Sequence, residues 1–225
     1  MAIIGTDGRT TITTPSGSNA NAVAVDVPNT AGTNPGYNSF GNLPGSGYAI
    51  SANFFLTAGH VVNGNSAARV TMAADVSSLP ARGVTSANAP SATGPNPLNV
   101  ISITNFATDL ALLQTSSDIA SDGSVLGIAV FYDHRDLRGL KMETAGFPIQ
   151  AGAGETLIDG TGRTFLESSS DITKTTDGQI SYTADTQGGQ SGSGVWLDAD
   201  DYATGSNLIT AGNRDLFIGT HVSGS

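Results

Sequence analysis

The apolar residues of this chain predict an all-β fold, a barrel or sandwich built from about ten short strands. Hydrophobic residues come in short or alternating runs, and Gly, Pro, Asn and Asp separate those runs. Helical spacing of apolar residues is hard to find anywhere along the sequence. The 225 residues are 38% hydrophobic. At that length roughly 70% of the unfolded chain's surface can be buried, so a core is attainable without metal or disulfide.

In chain order the expected strands are 48–50, 54–57, 69–72, 100–103, 110–113, 126–131, 141–145, 179–182, 194–197 and 216–220. Segments 54–57 and 110–113 are nearly continuous apolar runs, whereas 69–72 and 179–182 alternate polar with apolar residues. Residues 15–42 and the Pro/Ser/Ala-rich stretch 80–97 read as long surface loops. A change of composition at 115–124, Thr-Ser-Ser-Asp-Ile-Ala-Ser-Asp-Gly-Ser, marks a linker between two halves. The acidic run Asp198-Ala199-Asp200-Asp201 lacks the spacing of a calcium loop and reads as a solvated turn.

Bulk chemistry removes several functional classes. There is no cysteine, which excludes disulfide scaffolds, thiolate metal sites and thiol nucleophiles. A net charge of −10 repels phosphate backbones and anionic lipid, so neither nucleic acid nor a membrane surface is an expected partner. The opening Met1-Ala2-Ile3-Ile4-Gly5 lacks the basic and apolar regions of a signal peptide. Extracellular export by a route that does not read the N-terminus is the expectation, with an intracellular location left open.

Three segments carry chemistry. In Phe54-Phe55-Leu56-Thr57-Ala58-Gly59-His60 an apolar strand ends in small residues and presents one of the three histidines at its mouth. Asp109 directly precedes the apolar run Leu110-Ala111-Leu112-Leu113. In Gly188-Gly189-Gln190-Ser191-Gly192-Ser193-Gly194 a serine lies among glycines that free the backbone for a tight turn. Taken singly, each has an ordinary structural explanation. Together they give the order His, Asp, Ser, with a β segment after the serine. An α/β-hydrolase runs Ser, Asp or Glu, His, and follows its serine with a helix. The order and setting here are those of a chymotrypsin-type triad.

At this point the sequence resembles the trypsin-like peptidases, and is most similar to their bacterial glutamyl endopeptidase branch. The resemblance rests on Ser46-Gly47-Tyr48 ahead of Leu56-Thr57-Ala58-Gly59-His60, on Asp109-Leu110-Ala111-Leu112-Leu113, and on Gly188-Gly189-Gln190-Ser191-Gly192-Ser193. The stretches Ile3–Thr10, Thr144–Pro148, Asp185–Ser193 and Gly219–Gly224 support it. It implies two antiparallel six-stranded Greek-key barrels with the active site between them. Residues 1–115 would form the first barrel, 116–137 a linker and 138–225 the second. His60, Asp109 and Ser191 would be catalytic, and Gly189 and Ser191 would supply oxyanion-hole N–H groups. Thr186, His221, Val222, Ser223 and Gly224 would bind the substrate, with cleavage after glutamate and no cofactor or metal. Polypeptides are the implied substrates.

Departures from the family pattern qualify these expectations. Gln190 stands where many members carry an aspartate that pairs with a newly cleaved N-terminus, and it cannot form that ion pair. Gly194 stands where the glutamyl branch usually has proline. The family continues past the His-x-x-Gly segment with a strand and a helix, so the second barrel is expected to be truncated at Ser225. That ending keeps a competing reading open, a catalytically inactive protease-fold binding or adhesive module. His134, in a polar stretch, is expected to lie outside the chemistry.

Overall fold

The computed structural model describes residues 8–12, 14–27, 45–62, 68–73, 98–118, 127–128, 137–148, 165–176, 178–186, 188–198 and 215–222. Thirteen strands run through them: β1 Thr10–Thr11, β2 Ala22–Asp26, β3 Gly45–Ala49, β4 Phe54–Ala58, β5 Arg69–Met72, β6 Leu98–Phe106 and β7 Leu110–Thr115, then β8 Gly127–Ile128, β9 Lys141–Gly146, β10 Leu166–Thr176, β11 Gln179–Tyr182, β12 Gly194–Leu197 and β13 Leu216–Thr220. A single helical turn, α1 Gly59–Val62, follows β4.

Strands β2-β3-β4-β7-β6-β5 close into an antiparallel barrel. Numbered within the barrel, that order is 1-2-3-6-5-4, the Greek-key arrangement. Closure leaves no unpaired edge. The barrel follows from alternation. Along β7 every second residue is buried, and Leu113 sits opposite Phe55 of β4, both fully enclosed. Alternation on β2 divides its side chains between two cores. Val23 and Val25 enter the barrel interior, while Ala22 and Ala24 face the second half.

The second half is a sheet ordered β1-β10-β9-β12-β13-β8, with β11 added on β10. Its ladders are antiparallel except β13 with β8, which is parallel. Seven strands therefore take part where six were expected, and no ladder among the described residues closes the sheet. Two of the seven come from outside the expected second unit: Thr10–Thr11 pairs with β10, and Gly127–Ile128, within the expected linker, pairs with β13. β12 is buried on both faces. Val195 and Leu197 join Met142 and Ile172 in this half's own core, while Trp196 turns towards the first barrel.

Between the halves lies a third core. Tyr48 stacks on Phe217 at 5.1 Å and lies 5.7 Å from Trp196, and Phe147 stacks on Phe165 at 4.8 Å. The polar tips of the two large rings are satisfied: the Tyr48 hydroxyl donates to the Ser18 carbonyl at 3.0 Å, and Trp196 Nε1 donates to Glu143 Oε2 at 3.0 Å. The Ser18 hydroxyl in turn donates to Asp215, next to β13. Expected strands 69–72, 179–182, 194–197 and 216–220 match β5, β11, β12 and β13 residue for residue. β1, β2 and β10 were not expected. β2 falls in a segment read as loop, and β10, Leu-Glu-Ser-Ser-Ser-Asp-Ile-Thr-Lys-Thr-Thr, is too polar to stand out.

Half-buried Glu143 gives the fold a pH dependence of known sign. Burial raises its pKa above 4.5, Glu167 adds to the rise, and the Trp196 hydrogen bond opposes it. The folded state therefore disfavours the charged carboxylate, and stability rises as pH falls through the raised pKa towards 4.5. Glu143→Gln keeps an acceptor for Trp196. The variant is expected to be at least as stable as the parent at pH 7 in urea denaturation, with its advantage shrinking at pH 5. An advantage that grows on acidification would contradict this account.

Candidate active site

The first barrel contributes a histidine held by an aspartate. Val61 and Val62 of α1 are buried in the barrel core, and this anchors the turn with the His60 ring outward and its side chain about half exposed. Asp109 closes the tight connection between β6 and β7 and has φ 57°, in the left-handed region that a non-glycine residue seldom enters. Asparagine and aspartate tolerate that region best, and here three bonds hold the residue in it. Its carbonyl accepts the Gly59 N–H at 2.8 Å, and Oδ1 accepts the His60 N–H at 2.7 Å. Oδ2 lies 2.8 Å from His60 Nδ1. A carboxylate only accepts, so the ring proton sits on Nδ1 and Nε2 keeps a lone pair. Gly59 is needed for the approach: a Cβ there would lie 3.1 Å from Asp109 Oδ1 and 3.2 Å from its carbonyl carbon.

The serine turn comes from the second half. Residues 188–193 carry two positive-φ glycines, Gly189 at 97° and Gly192 at 93°. Ser46 of β3 receives the turn. Its N–H donates to the Ser191 carbonyl at 2.8 Å, and its hydroxyl donates to the Gly189 carbonyl at 2.9 Å. That hydroxyl also accepts the Phe147 N–H at 2.8 Å. Gly192 lies so close to the first barrel that a Cβ would fall 1.9 Å from the Ser46 carbonyl oxygen and 2.3 Å from Thr57 Oγ1. Thr57 stands three residues before His60 on β4, so the strand pair that ends at the histidine is also the seat of the serine. Ser191 itself is half-buried.

His221 adjoins the same turn. Its carbonyl accepts the Gly192 N–H at 2.7 Å, and its N–H donates to the Ser193 carbonyl at 2.8 Å. Its ring is buried, with Nδ1 2.6 Å from the Tyr182 hydroxyl. Burial lowers its pKa to about 4, with the charge of His60 adding to the effect. Thr186 is buried, and its neighbour Asp185 accepts the Gly8 N–H at 2.6 Å. Val222 packs against the first barrel's core. Ser223, Gly224 and His134 lie outside the described residues. No group of three or more His, Asp or Glu side chains suited to a metal ion is present among the described residues.

Sequence reasoning had no role for Ser46, Asp185 or Tyr182. Ser46 was visible only as part of Ser46-Gly47-Tyr48, and Asp185 only as the first residue of the stretch Asp185–Ser193. Tyr182 had no signal beyond its place in an alternating strand.

The trypsin-like peptidase domain matches residues 45–205. Among solved structures, a Glu endopeptidase in complex with MPD aligns with 100% of this chain and 88% of its own at 19% identity, TM-score 0.65. The active form of an M. tuberculosis protease aligns with 90% of this chain and 77% of its own at 16% identity, TM-score 0.52. A serine endoprotease from Yersinia pestis covers 79% of this chain and 50% of its own at 18% identity, TM-score 0.51. At these identities the likeness is one of fold. No curated protein matches in sequence.

The serine turn yields a paired prediction. Gly192→Ala adds a Cβ against a carbonyl at positive φ, and is expected to lower the unfolding free energy by about 2–4 kcal/mol. Ser193 is buried, and its hydroxyl has no hydrogen-bond partner among the described residues. Ser193→Ala is therefore expected to stay within about 0.5 kcal/mol of the parent. Urea denaturation of both variants checks the pair, and equal losses would contradict the packing described.

Proposed function

The chain belongs to the trypsin-like peptidase domain family, and on that premise we propose that it is a serine endopeptidase using His60, Asp109 and Ser191 and preferring to cleave after glutamate. One observation carries the catalytic part: Asp109 grips His60 twice, at its backbone N–H and at Nδ1. That grip leaves Nε2 as the base. A serine hydroxyl is a weak nucleophile, so Nε2 takes the Ser191 Oγ proton as Oγ attacks the scissile carbonyl carbon. The resulting imidazolium is stabilised by Asp109. The oxyanion accepts hydrogen bonds from the N–H groups of Gly189 and Ser191, each such donor being worth about 10²–10³ in rate. Collapse of the tetrahedral adduct passes the proton from Nε2 to the leaving amine and leaves an acyl ester on Ser191. Water, deprotonated by the same nitrogen, then releases the acid.

Support for glutamate comes from the two polar side chains beside the serine turn. A substrate carboxylate leaving water needs donors to offset its desolvation. Thr186 supplies a hydroxyl and His221 a ring N–H, both from buried positions. A Glu endopeptidase is also among the similar folds. The net charge of −10 opposes an acidic substrate at long range, so this selectivity is local and association is expected to quicken with added salt.

A fluorophosphonate probe is expected to label the parent at Ser191 and to leave Ser191→Ala unlabelled. Hydrolysis is expected to fall about 10⁴-fold or more in Ser191→Ala and in His60→Ala, with the fold intact by circular dichroism. Peptides differing only in the residue before the scissile bond test the preference. Retained hydrolysis in Ser191→Ala would overturn the triad, and preference for Arg, Lys or a large apolar residue would overturn the glutamate reading alone.

A further inference from the structure

Resting on the glutamate reading, we infer that Tyr182 is a positioning residue for specificity: its hydroxyl donates to His221 Nδ1, fixing the tautomer in which Nε2 carries the proton and can donate to a substrate carboxylate. The two groups are 2.6 Å apart, with ring centroids 5.9 Å apart and the planes tilted by 46°. The direction of the bond follows from what each partner can do. A phenol keeps its proton unless strongly stabilised as the anion, and burial raises the pKa of Tyr182 further. The hydroxyl therefore has a proton to place, and Nδ1 is the one hydrogen-bond acceptor the described residues give it. Were Nδ1 protonated, its N–H would point at the hydroxyl oxygen, and the half-buried hydroxyl would lose the one acceptor that the described residues give it.

The ring's other surroundings agree. Among the described residues, the titratable groups that face His221 are Tyr182 of β11, at hydrogen-bond distance, and His60 of α1, whose charge adds to the lowering of its pKa. With a pKa of about 4 the ring is neutral near pH 7 before substrate arrives, so it meets glutamate as a directed donor. The tautomer then decides whether it can donate. A ring with its proton on Nδ1 would offer the substrate a lone pair at Nε2, which repels a carboxylate. The backbone bonds from His221 to Gly192 and Ser193 fix the ring's attachment one residue from the nucleophile. Tyr182 then fixes its chemistry.

Two readouts test this on the full chain. Long-range ¹H–¹⁵N correlation spectra at pH 7 resolve the three imidazoles, with His60→Ala and His134→Ala variants assigning them. His221 is expected to show an unprotonated Nδ1 and a protonated Nε2 in the parent, and a mixture of tautomers in Tyr182→Phe. For Tyr182→Phe, kcat/KM on a peptide with glutamate before the scissile bond is expected to drop about tenfold, mainly through KM. A peptide with glutamine there is expected to change less than about twofold. Circular dichroism and the melting temperature establish that the variant folds. A parent His221 with its proton on Nδ1, or equal losses on both peptides, overturns the inference. A parent that does not favour glutamate, while His221 still has its proton on Nε2, overturns the specificity reading instead.

Discussion

Ser46 commits its N–H and its hydroxyl to the junction between the two halves, and its carbonyl to the neighbouring strand of its own barrel. The N–H donates to Ser191, the carbonyl accepts from Thr57, and the hydroxyl bridges Gly189 and Phe147. The residue is fully buried, so each of these groups would be costly to leave unpaired. The serine turn can meet these bonds only by lying against β3, with no side chain at Gly192 to hold it off. Because β3 and β4 are neighbours in the barrel, the turn is delivered next to the helical turn bearing His60. Relative placement of the Ser191 turn and His60 thus depends on one small polar residue of the neighbouring strand.

The two halves fix their functional groups by different means. In the first barrel, Asp109 sits in an unusual backbone conformation that its own hydrogen bonds to Gly59 and His60 maintain. In the second, the serine segment takes positive φ at glycines, where that conformation carries no steric penalty. Backbone strain is stored at the residue that aims a carboxylate at His60, and avoided in the glycines beside Ser191. The imidazole of His60 stays half exposed, while that of His221 is enclosed and held neutral near pH 7. In the mechanism proposed above, the same side chain serves as a proton carrier in one place and a fixed dipole in the other, and burial makes the difference.

Much of this could be read from short stretches of sequence. Strands such as β5, β11 and β12 are legible because their pattern is local, alternating in the first two and continuously apolar in the third, and His60, Asp109 and Ser191 stand out because each sits near the end of a short strand. What stayed hidden depends on distant residues. β10 is rich in Ser, Thr and Asp, and is a strand because β9, β11 and β1 pair with it, not because its composition demands it. β2 is short and follows a long polar stretch, so its division between two cores appears only once the barrel exists. Ser46, Tyr182 and Asp185 act through partners far along the chain, and serine, tyrosine and aspartate are too common in strands and loops to signal that.

The sequence contains one tryptophan, and its position has a practical consequence. Trp196 lies fully enclosed in the core shared by the two halves, two residues past the serine turn, with its indole N–H on Glu143. Its emission is therefore an optical gauge of whether the halves are docked. Parting them, even with both sheets intact, would bring water to the indole and move the emission to longer wavelength. Circular dichroism in the far ultraviolet would barely change in that event, since no ladder need break. Following the two signals together through a titration would separate undocking of the halves from loss of the fold, without any added label.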